Sequence, residues 1–170
     1  MNAFNYKRIP KSDEKEVRNL VKVVFENIER KDFLIPWTEE QMNRFFDEEY
    51  SILFGAYDNN KLVAMCQIFT SKEIEEEYYD ILKISEPDSI CELGGFLVLP
   101  EYRKKGVMTN LVSITMDCFN QLNFKYIIST VHPENLASNR IVQQLGFDLY
   151  TNLTTQSGYL RSLYWKKLNK

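Results

Sequence analysis

Cysteine is scarce in this chain: Cys66, Cys91 and Cys118 are the only three, widely spaced and without a C-x-x-C pair. An odd, scattered set supports neither a disulfide framework nor a zinc site. Cysteines amid apolar neighbours read first as small core residues. Histidine is scarcer still, with His132 alone. No uncharged apolar run approaches ~18 residues, so no membrane span is expected. The segment from Met1 to Pro10 is polar and lacks an apolar stretch followed by small residues, which argues against a signal peptide. Free cysteines without a leader point to a reducing, cytoplasmic location. There is no excess of basic charge either: the formal net charge is -3 and the pI about 5.3. A nucleic-acid-binding domain would normally be basic, so that partner class is set aside. Internal repeats, low-complexity tracts and linkers are also missing.

What is present is an ordinary globular composition, 44% hydrophobic and 26% charged over 170 residues. That length suits a single domain spanning 1–170. Its apolar content is enough for a core without a metal or disulfide staple. Phe4 to Ile9 alternates apolar and polar groups, as a strand does. Ser12-Asp13 with Glu16 reads as a helix start with a capping box. Val17, Leu20, Val21, Val24 and Ile28 then form one apolar face. A second helix is expected from Thr38 to Glu49, with Met42, Phe45 and Phe46 inward. Ser51–Tyr57 and Leu62–Phe69 flank Asp58-Asn59-Asn60-Lys61, a hairpin signature. Residues 71–90 form an acidic, partly helical insertion. Cys91 to Leu99 is nearly continuous in apolar residues and so reads as a central strand, ended by Pro100.

A long helix is expected from Lys105 to Leu122, with Met108, Leu111, Val112, Thr115, Phe119 and Leu122 on one face. Tyr126–Val131 follows as a buried strand. Leu136–Leu145 is a helix closed by Gly146. Phe147–Thr155 and Tyr159–Leu168 form a last hairpin around Ser157-Gly158. The order implies an α/β fold, with a mixed central sheet of about six or seven strands flanked by helices.

One stretch carries chemistry: Leu97-Val98-Leu99-Pro100-Glu101-Tyr102-Arg103-Lys104-Lys105-Gly106-Val107-Met108. A central strand runs into a short basic loop and a helix starts there. The first turn of a helix has unpartnered N–H groups and a positive dipole end, which suits phosphate. Gly106 lets a ligand approach the backbone closely. Read from the residues alone, the loop is either an anion site or a solvated basic loop. It is neither a P-loop nor a dinucleotide G-x-G-x-x-G.

The pattern V-x-P-x-Y-R-x-x-G resembles the acyl-CoA-binding signature of the GNAT superfamily, a loop usually written Q/R-x-x-G-x-G/A. Here it is Arg103 to Met108, with Met108 where the family has a small residue. Asn135-Leu136-Ala137-Ser138 followed by an apolar helix and Gly146-Phe147 is similar to the family's second signature. The resemblance covers roughly 4–168, with 71–90 outside the common pattern.

The resemblance implies the GNAT fold and an acyl-CoA-dependent N-acetyltransferase, with acetyl-CoA as donor and a small-molecule or peptide amine as acceptor. In the family the strand before the loop is bulged, and the pantetheine arm pairs with its backbone, here Leu97, Val98 and Leu99. The diphosphate would meet the amides of Lys105, Gly106, Val107 and Met108, flanked by Arg103, Lys104 and Thr109. Asn135 and Ser138 would border the pantetheine, with Asn135 also capping its helix. Gly94-Gly95 fits a bulge, or simple packing against small residues.

Transfer needs a neutral amine and is helped by a general base. Glu92 occupies the position where some members carry a glutamate base. A carboxylate in an apolar strand is costly unless satisfied, and burial would raise its pKa. The competing reading is a strand-start residue or the partner of a structural arginine. The Val98 N–H would stabilise the oxyanion. Many members use a tyrosine as the acid for the leaving thiolate. Val142 stands there instead, leaving Tyr150 as a possible substitute. His132 is either a second base candidate or an exposed loop residue.

The acids Glu73, Glu75, Glu76, Glu77, Asp80, Glu86 and Asp88 either attract a cationic amine or form a solvated helix face. Tyr78, Tyr79, Ile81, Leu82 and Trp37 are candidate acceptor walls. Two rivals to the enzyme remain: a GNAT fold that holds acyl-CoA without turnover, and a simple phosphate-binding domain. Polyamines, aminoglycosides, amino acids, peptide N-termini and protein lysines all remain open as acceptors. The edges of the last hairpin offer a surface for a homodimer.

Overall fold

Alternating apolar positions and turn residues build seven strands, and the computed structural model describes residues 4–119 and 122–168 of the chain. Strand β1 (Asn5–Arg8) leads into helix α1 (Glu14–Glu26) and the short helix α2 (Glu39–Asn43). The hairpin β2 (Ser51–Asp58) and β3 (Lys61–Phe69) follows, then α3 (Glu76–Leu82) and β4 (Ile90–Val98). Next come α4 (Val107–Phe119), β5 (Tyr126–Val131) and α5 (Leu136–Gln144). The hairpin β6 (Asp148–Thr154) and β7 (Leu160–Lys167) ends the sheet. The strand order is β1-β2-β3-β4-β5-β7-β6, with only the β4–β5 pair parallel. The mixed α/β sheet read from the sequence is the sheet observed.

The core forms where the periodic faces meet. Val17, Leu20 and Val24 of α1 are buried, as are Val107, Met108, Leu111, Val112, Thr115 and Phe119 of α4. Thr115 satisfies its hydroxyl by donating to Leu111 O at 2.9 Å, which lets a polar residue sit in this core. Phe119 is fully buried, so truncating it to alanine would cost about 3–5 kcal/mol. A second, smaller cluster (Ile74, Tyr78, Ile90, Ile128 and Leu163) packs the insertion against the far side of β4, β5 and β7. No helix among the described residues is long and apolar enough to cross a membrane.

Local expectations fail in three places. The capping box at Asp13 is absent, because its carboxylate instead accepts the Tyr57 hydroxyl at 2.7 Å. A true box sits at Thr38 and Gln41, whose side chains and backbones are reciprocally bonded. The helix it starts ends at Asn43, not Glu49, since the chain turns there to bury Phe45 against Trp37. Finally, α4 begins at Val107, not Lys105, and is described to Phe119; residues 120 and 121 of the expected helix lie outside the described residues.

Candidate active site

The site grows from an irregularity in β4. Met65 faces Leu97 and Gln67 faces Gly94, so Cys66 alone stands opposite Gly95 and Phe96. This is a β-bulge, and Gly95 has φ +60°, the left-handed conformation glycine takes at such positions. A side chain there would also be crowded: a Cβ would lie 3.2 Å from Gln67 Cβ. The bulge bends β4 away from its parallel neighbour. Ile90, Cys91 and Glu92 pair with Tyr126, Ile127 and Ile128, and there the pairing stops. Beyond Glu92 the strands enclose a cleft of about 190 Å³, bounded by residues 94–97 on one side and 129–131 on the other.

Strand geometry decides which backbone groups face this gap. Leu99 N–H donates to Val63 O at 3.0 Å and Leu97 pairs with Met65. Because antiparallel strands alternate their bonding directions, the N–H and C=O of Val98 point away from β3, toward the gap. Arg103 folds back over the strand end. Its Nε donates to Val98 O at 3.3 Å and its Nη1 to Asn27 O at 3.4 Å.

At the end of β4 the chain turns through Pro100–Tyr102. Tyr102 anchors the turn by donating its hydroxyl to Asp58 at 2.9 Å, with Lys105 Nζ 5.2 Å from its ring centre. Lys104 (φ +60°) and Gly106 (φ +73°) then take left-handed conformations. Helix α4 closes its first turn with Asn110 N–H on Gly106 O at 3.1 Å. Among the described residues, no hydrogen bond is made by any N–H from Lys104 to Thr109. Six successive unpartnered donors at a helix start make a concave site for an anion. Nothing lies within 4 Å of a Cβ built on Gly106, so the approach is open. Met108 does not obstruct it, since its side chain is buried in the core.

Glu92 is the last residue of β4 paired with β5, half-buried at the base of the cleft. Thr130 Oγ1 donates to its Oε1 at 2.7 Å. Burial pushes its pKa up, opposed by the Thr130 hydroxyl and backbone and by the charge of Arg161. On the rim, partial burial of its carboxyl and the neighbouring Glu77, with Glu92 adding charge, push Glu75 up to about 7. Tyr78 is buried in the same wall. Burial above all, then the charges of Glu92, Glu75 and Glu77, holds it protonated well beyond the usual tyrosine range.

The remaining sequence candidates separate clearly. Asn135 caps α5 by accepting Ser138 N–H at 3.2 Å, and both residues line the cleft. Trp37 and Tyr78 line it too, whereas Tyr79, Ile81 and Leu82 pack around the smaller core cluster. The acidic insertion divides: Glu73 and Glu75 reach the cleft, Glu73 paired with Arg44 at 2.8 Å. Val142 is fully buried. Tyr150 is exposed and donates to Ile81 O at 3.1 Å, and it does not line the cleft. His132 is buried, not an exposed loop residue. Its Nδ1 accepts Glu134 N–H at 3.1 Å, while Nε2 lies 3.3 Å from Asp32. It fastens the 30–34 segment to the end of β5 and takes no part in the cleft wall.

Thr130, Ser129 and Arg161 are polar cleft residues that the sequence does not single out. Ser129 has a buried Oγ with no hydrogen-bond partner among the described residues. Arg161, on β7, is only 2% exposed and lines the cleft together with Glu73, Glu75 and Glu92.

A search of curated proteins finds no match. Solved structures share the fold at low identity. An N-acetyltransferase from Staphylococcus aureus is 14% identical with a TM-score of 0.73, covering 98% of this chain and 99% of that one. NAA60 from Arabidopsis thaliana, in complex with a bisubstrate analogue, is 15% identical at 0.73, covering 98% and 99%. The yncA protein of Salmonella typhimurium, with its cofactor acetyl-CoA, is 13% identical at 0.72, covering 99% and 96%. The family model for the acetyltransferase (GNAT) family matches residues 23–147, taking in the bulged strand, the basic loop and both signatures. The chain belongs to the GNAT acetyltransferase family.

Proposed function

We propose that this protein is an N-acetyltransferase that moves an acetyl group from acetyl-CoA to a primary amine by direct attack on the thioester. The observation that carries the reading is the parting of β4 from β5 at Glu92, which sets a carboxylate at the base of an open cleft. The family and the acetyl-CoA found with the yncA protein support the donor. The chain fits it: the free amides of 104–109 suit a diphosphate, flanked by the Arg103, Lys104 and Lys105 side chains. Val98 offers the strand backbone to the pantetheine arm or to the developing oxyanion, with Asn135 and Ser138 bordering the path.

Glu92, once ionised, takes a proton from the attacking nitrogen, directly or through water, as nitrogen bonds to the carbonyl carbon. The Thr130 hydroxyl holds that carboxylate in place. The carbon–sulfur bond then breaks and the sulfur leaves as thiolate. No tyrosine acid is required, because a free thiol has a pKa near ~8.5. The fully buried Val142 favours one alternative, an acyl-CoA-binding protein without turnover. The site would serve a cytoplasmic enzyme, and the exposed edge strand β6 is where a second copy would add in a homodimer.

The first test is a thermal melt with acetyl-CoA, with ADP and free pantetheine as controls. Ligand at ~100 times its dissociation constant adds about 2.7 kcal/mol, a rise of roughly 5–10 °C for a chain of this size. No rise at millimolar acetyl-CoA sinks the donor assignment. A rise without thiol release across an amine panel selects the non-catalytic alternative.

A further inference from the structure

Charge is distributed unevenly in the cleft. Arg161 enters from β7 with its side chain almost wholly removed from solvent. Its Nη1 is occupied by two backbone carbonyls, Asp32 O at 3.0 Å and Leu160 O at 2.7 Å. Its Nε and Nη2 make no hydrogen bond among the described residues. It forms no ion pair within 4.0 Å among those residues, and its guanidinium carbon lies 5.2 Å from the centre of the Tyr159 ring. Burial lowers its pKa, with only the more distant charges of Tyr78, Asp32, Tyr159 and Glu92 acting against that. A buried guanidinium without an ionic partner is costly, and proteins normally pair such a group. Glu92 shares the cleft with it, close enough for each to feel the other's charge, yet the two do not touch. Both side chains line the same cleft, and no direct bond joins them among the described residues.

From this juxtaposition we infer that the acceptor carries a carboxylate beside its amine: a free amino acid. The inference rests on the acetyltransferase reading and names the acceptor class of the same site. Arg161 receives the carboxylate through its unused Nε and Nη2, a fork suited to two parallel bonds. The amine is thereby held toward Glu92, which removes its proton. Phe33, Leu34 and Trp37 close the cleft with apolar surface for the acceptor's side chain. Polyamines and aminoglycosides, which lack an anionic group, would leave Nε and Nη2 of the buried guanidinium without an ionic partner.

The test compares amino acids with their own carboxamides, which keep amine and side chain but lose the negative charge. Initial rates come from thiol release with acetyl-CoA. The wild type should favour the acid by about 30-fold or more in kcat/KM, the loss expected when one member of a buried charge pair is removed. Arg161→Met should bring that ratio near one, and Arg161→Lys, which keeps charge without the fork, should fall between. Equal use of acid and amide by the wild type overturns the proposal while leaving the enzyme reading intact. Should no acceptor release thiol, the enzyme reading fails, and the melt decides the amino-acid site separately. In the presence of coenzyme A, amino acids should then raise the melting temperature and their amides should not. An equal response to both, or none to either, overturns the site. Because the wild-type comparison needs no variant, misfolding of Arg161→Met would not rescue the proposal.

Discussion

The Thr130 hydroxyl, two residues past the last β4–β5 rung at Glu92 and Ile128, donates to Glu92 Oε1 at 2.7 Å. The bond ties the place where the sheet opens to the carboxylate proposed as the general base. It also opposes the upward pull of burial on the Glu92 pKa. Glu92→Gln should lower kcat by about 10²-fold or more, as for loss of a general base, without reducing the melting shift produced by acetyl-CoA. Unchanged turnover across pH would remove Glu92 from the mechanism.

The same carboxyl makes stability depend on pH, with a definite sign. Its folded pKa lies above the unfolded value, so its contribution is fully present below the unfolded value. That contribution is lost as pH rises through the folded one. Wild type and Glu92→Gln should therefore melt alike in acid. The variant should become the more stable protein as pH rises through the folded pKa. Thr130→Val, which removes an interaction favouring the charged form, should move both that divergence and the acid limb of the rate profile to higher pH. Melts and rates measured from pH 4 to 9 would show either movement or its absence.

Gly106→Leu should abolish acetyl-CoA binding with a modest loss of stability. Its φ of +73° strains any side chain by about 1–3 kcal/mol, but no protein atom lies within 4 Å to clash with a Cβ. The new side chain would instead occupy the approach to the free amides. Circular dichroism and the acetyl-CoA melt separate loss of fold from loss of ligand, and normal binding would refute the loop assignment.

Gly95 fails differently. A Cβ there meets both an unfavourable φ and Gln67 Cβ at 3.2 Å, so Gly95→Ala should cost about 1–3 kcal/mol. Relief by straightening β4 would close the gap beyond Glu92, so acetyl-CoA binding should fall as well. A variant that is destabilised yet binds normally would show that the bulge does not hold the cleft open.

Asn139 supports the β5–α5 loop. Its amide donates to His132 O, Pro133 O and Asn135 O at 2.9, 3.1 and 2.8 Å, and Tyr164 donates to its Oδ1 at 2.8 Å. Asn139→Ala leaves buried groups unpaired and should cost about 1–3 kcal/mol. Tyr150→Phe, by contrast, should leave turnover within about twofold of wild type, since surface changes outside such networks are nearly neutral. A large loss of kcat in Tyr150→Phe would return that residue to the list of candidate acids.

Periodicity and turn residues were enough to find the strands and the later helices, because each element's signal is local. The Asn59-Asn60 turn and the Asn135 cap are of this kind. Asp13 misled because its capping role competes with a distant acceptor need, the Tyr57 hydroxyl, 44 residues away. The Thr38 helix was overextended because Phe45 fits a helical stripe equally well as a turn residue facing Trp37. Glu92 and Val98 lie on a strand whose sequence neighbours reveal its bulge. Arg161 meets them only through strand pairing, so no spacing along the chain could announce it. The same holds for His132: nothing nearby in sequence shows that Asp32 closes over it.

The strand order has a consequence for how the molecule is made. β7 is inserted between β5 and β6, so the sheet cannot be completed in the order of synthesis. Until β7 docks, the edge of β5 from Tyr126 to Val131 is unpaired, and Ile127, Ile128, Ser129 and Val131 are residues the finished protein buries. Such an edge templates the pairing of other chains. A nascent polypeptide halted after α5 would thus hold the whole basic loop yet lack Arg161, and would be prone to aggregate. The Arg161 side of the cleft comes into being only with the last strand, so the cleft is the last part of the fold to be completed.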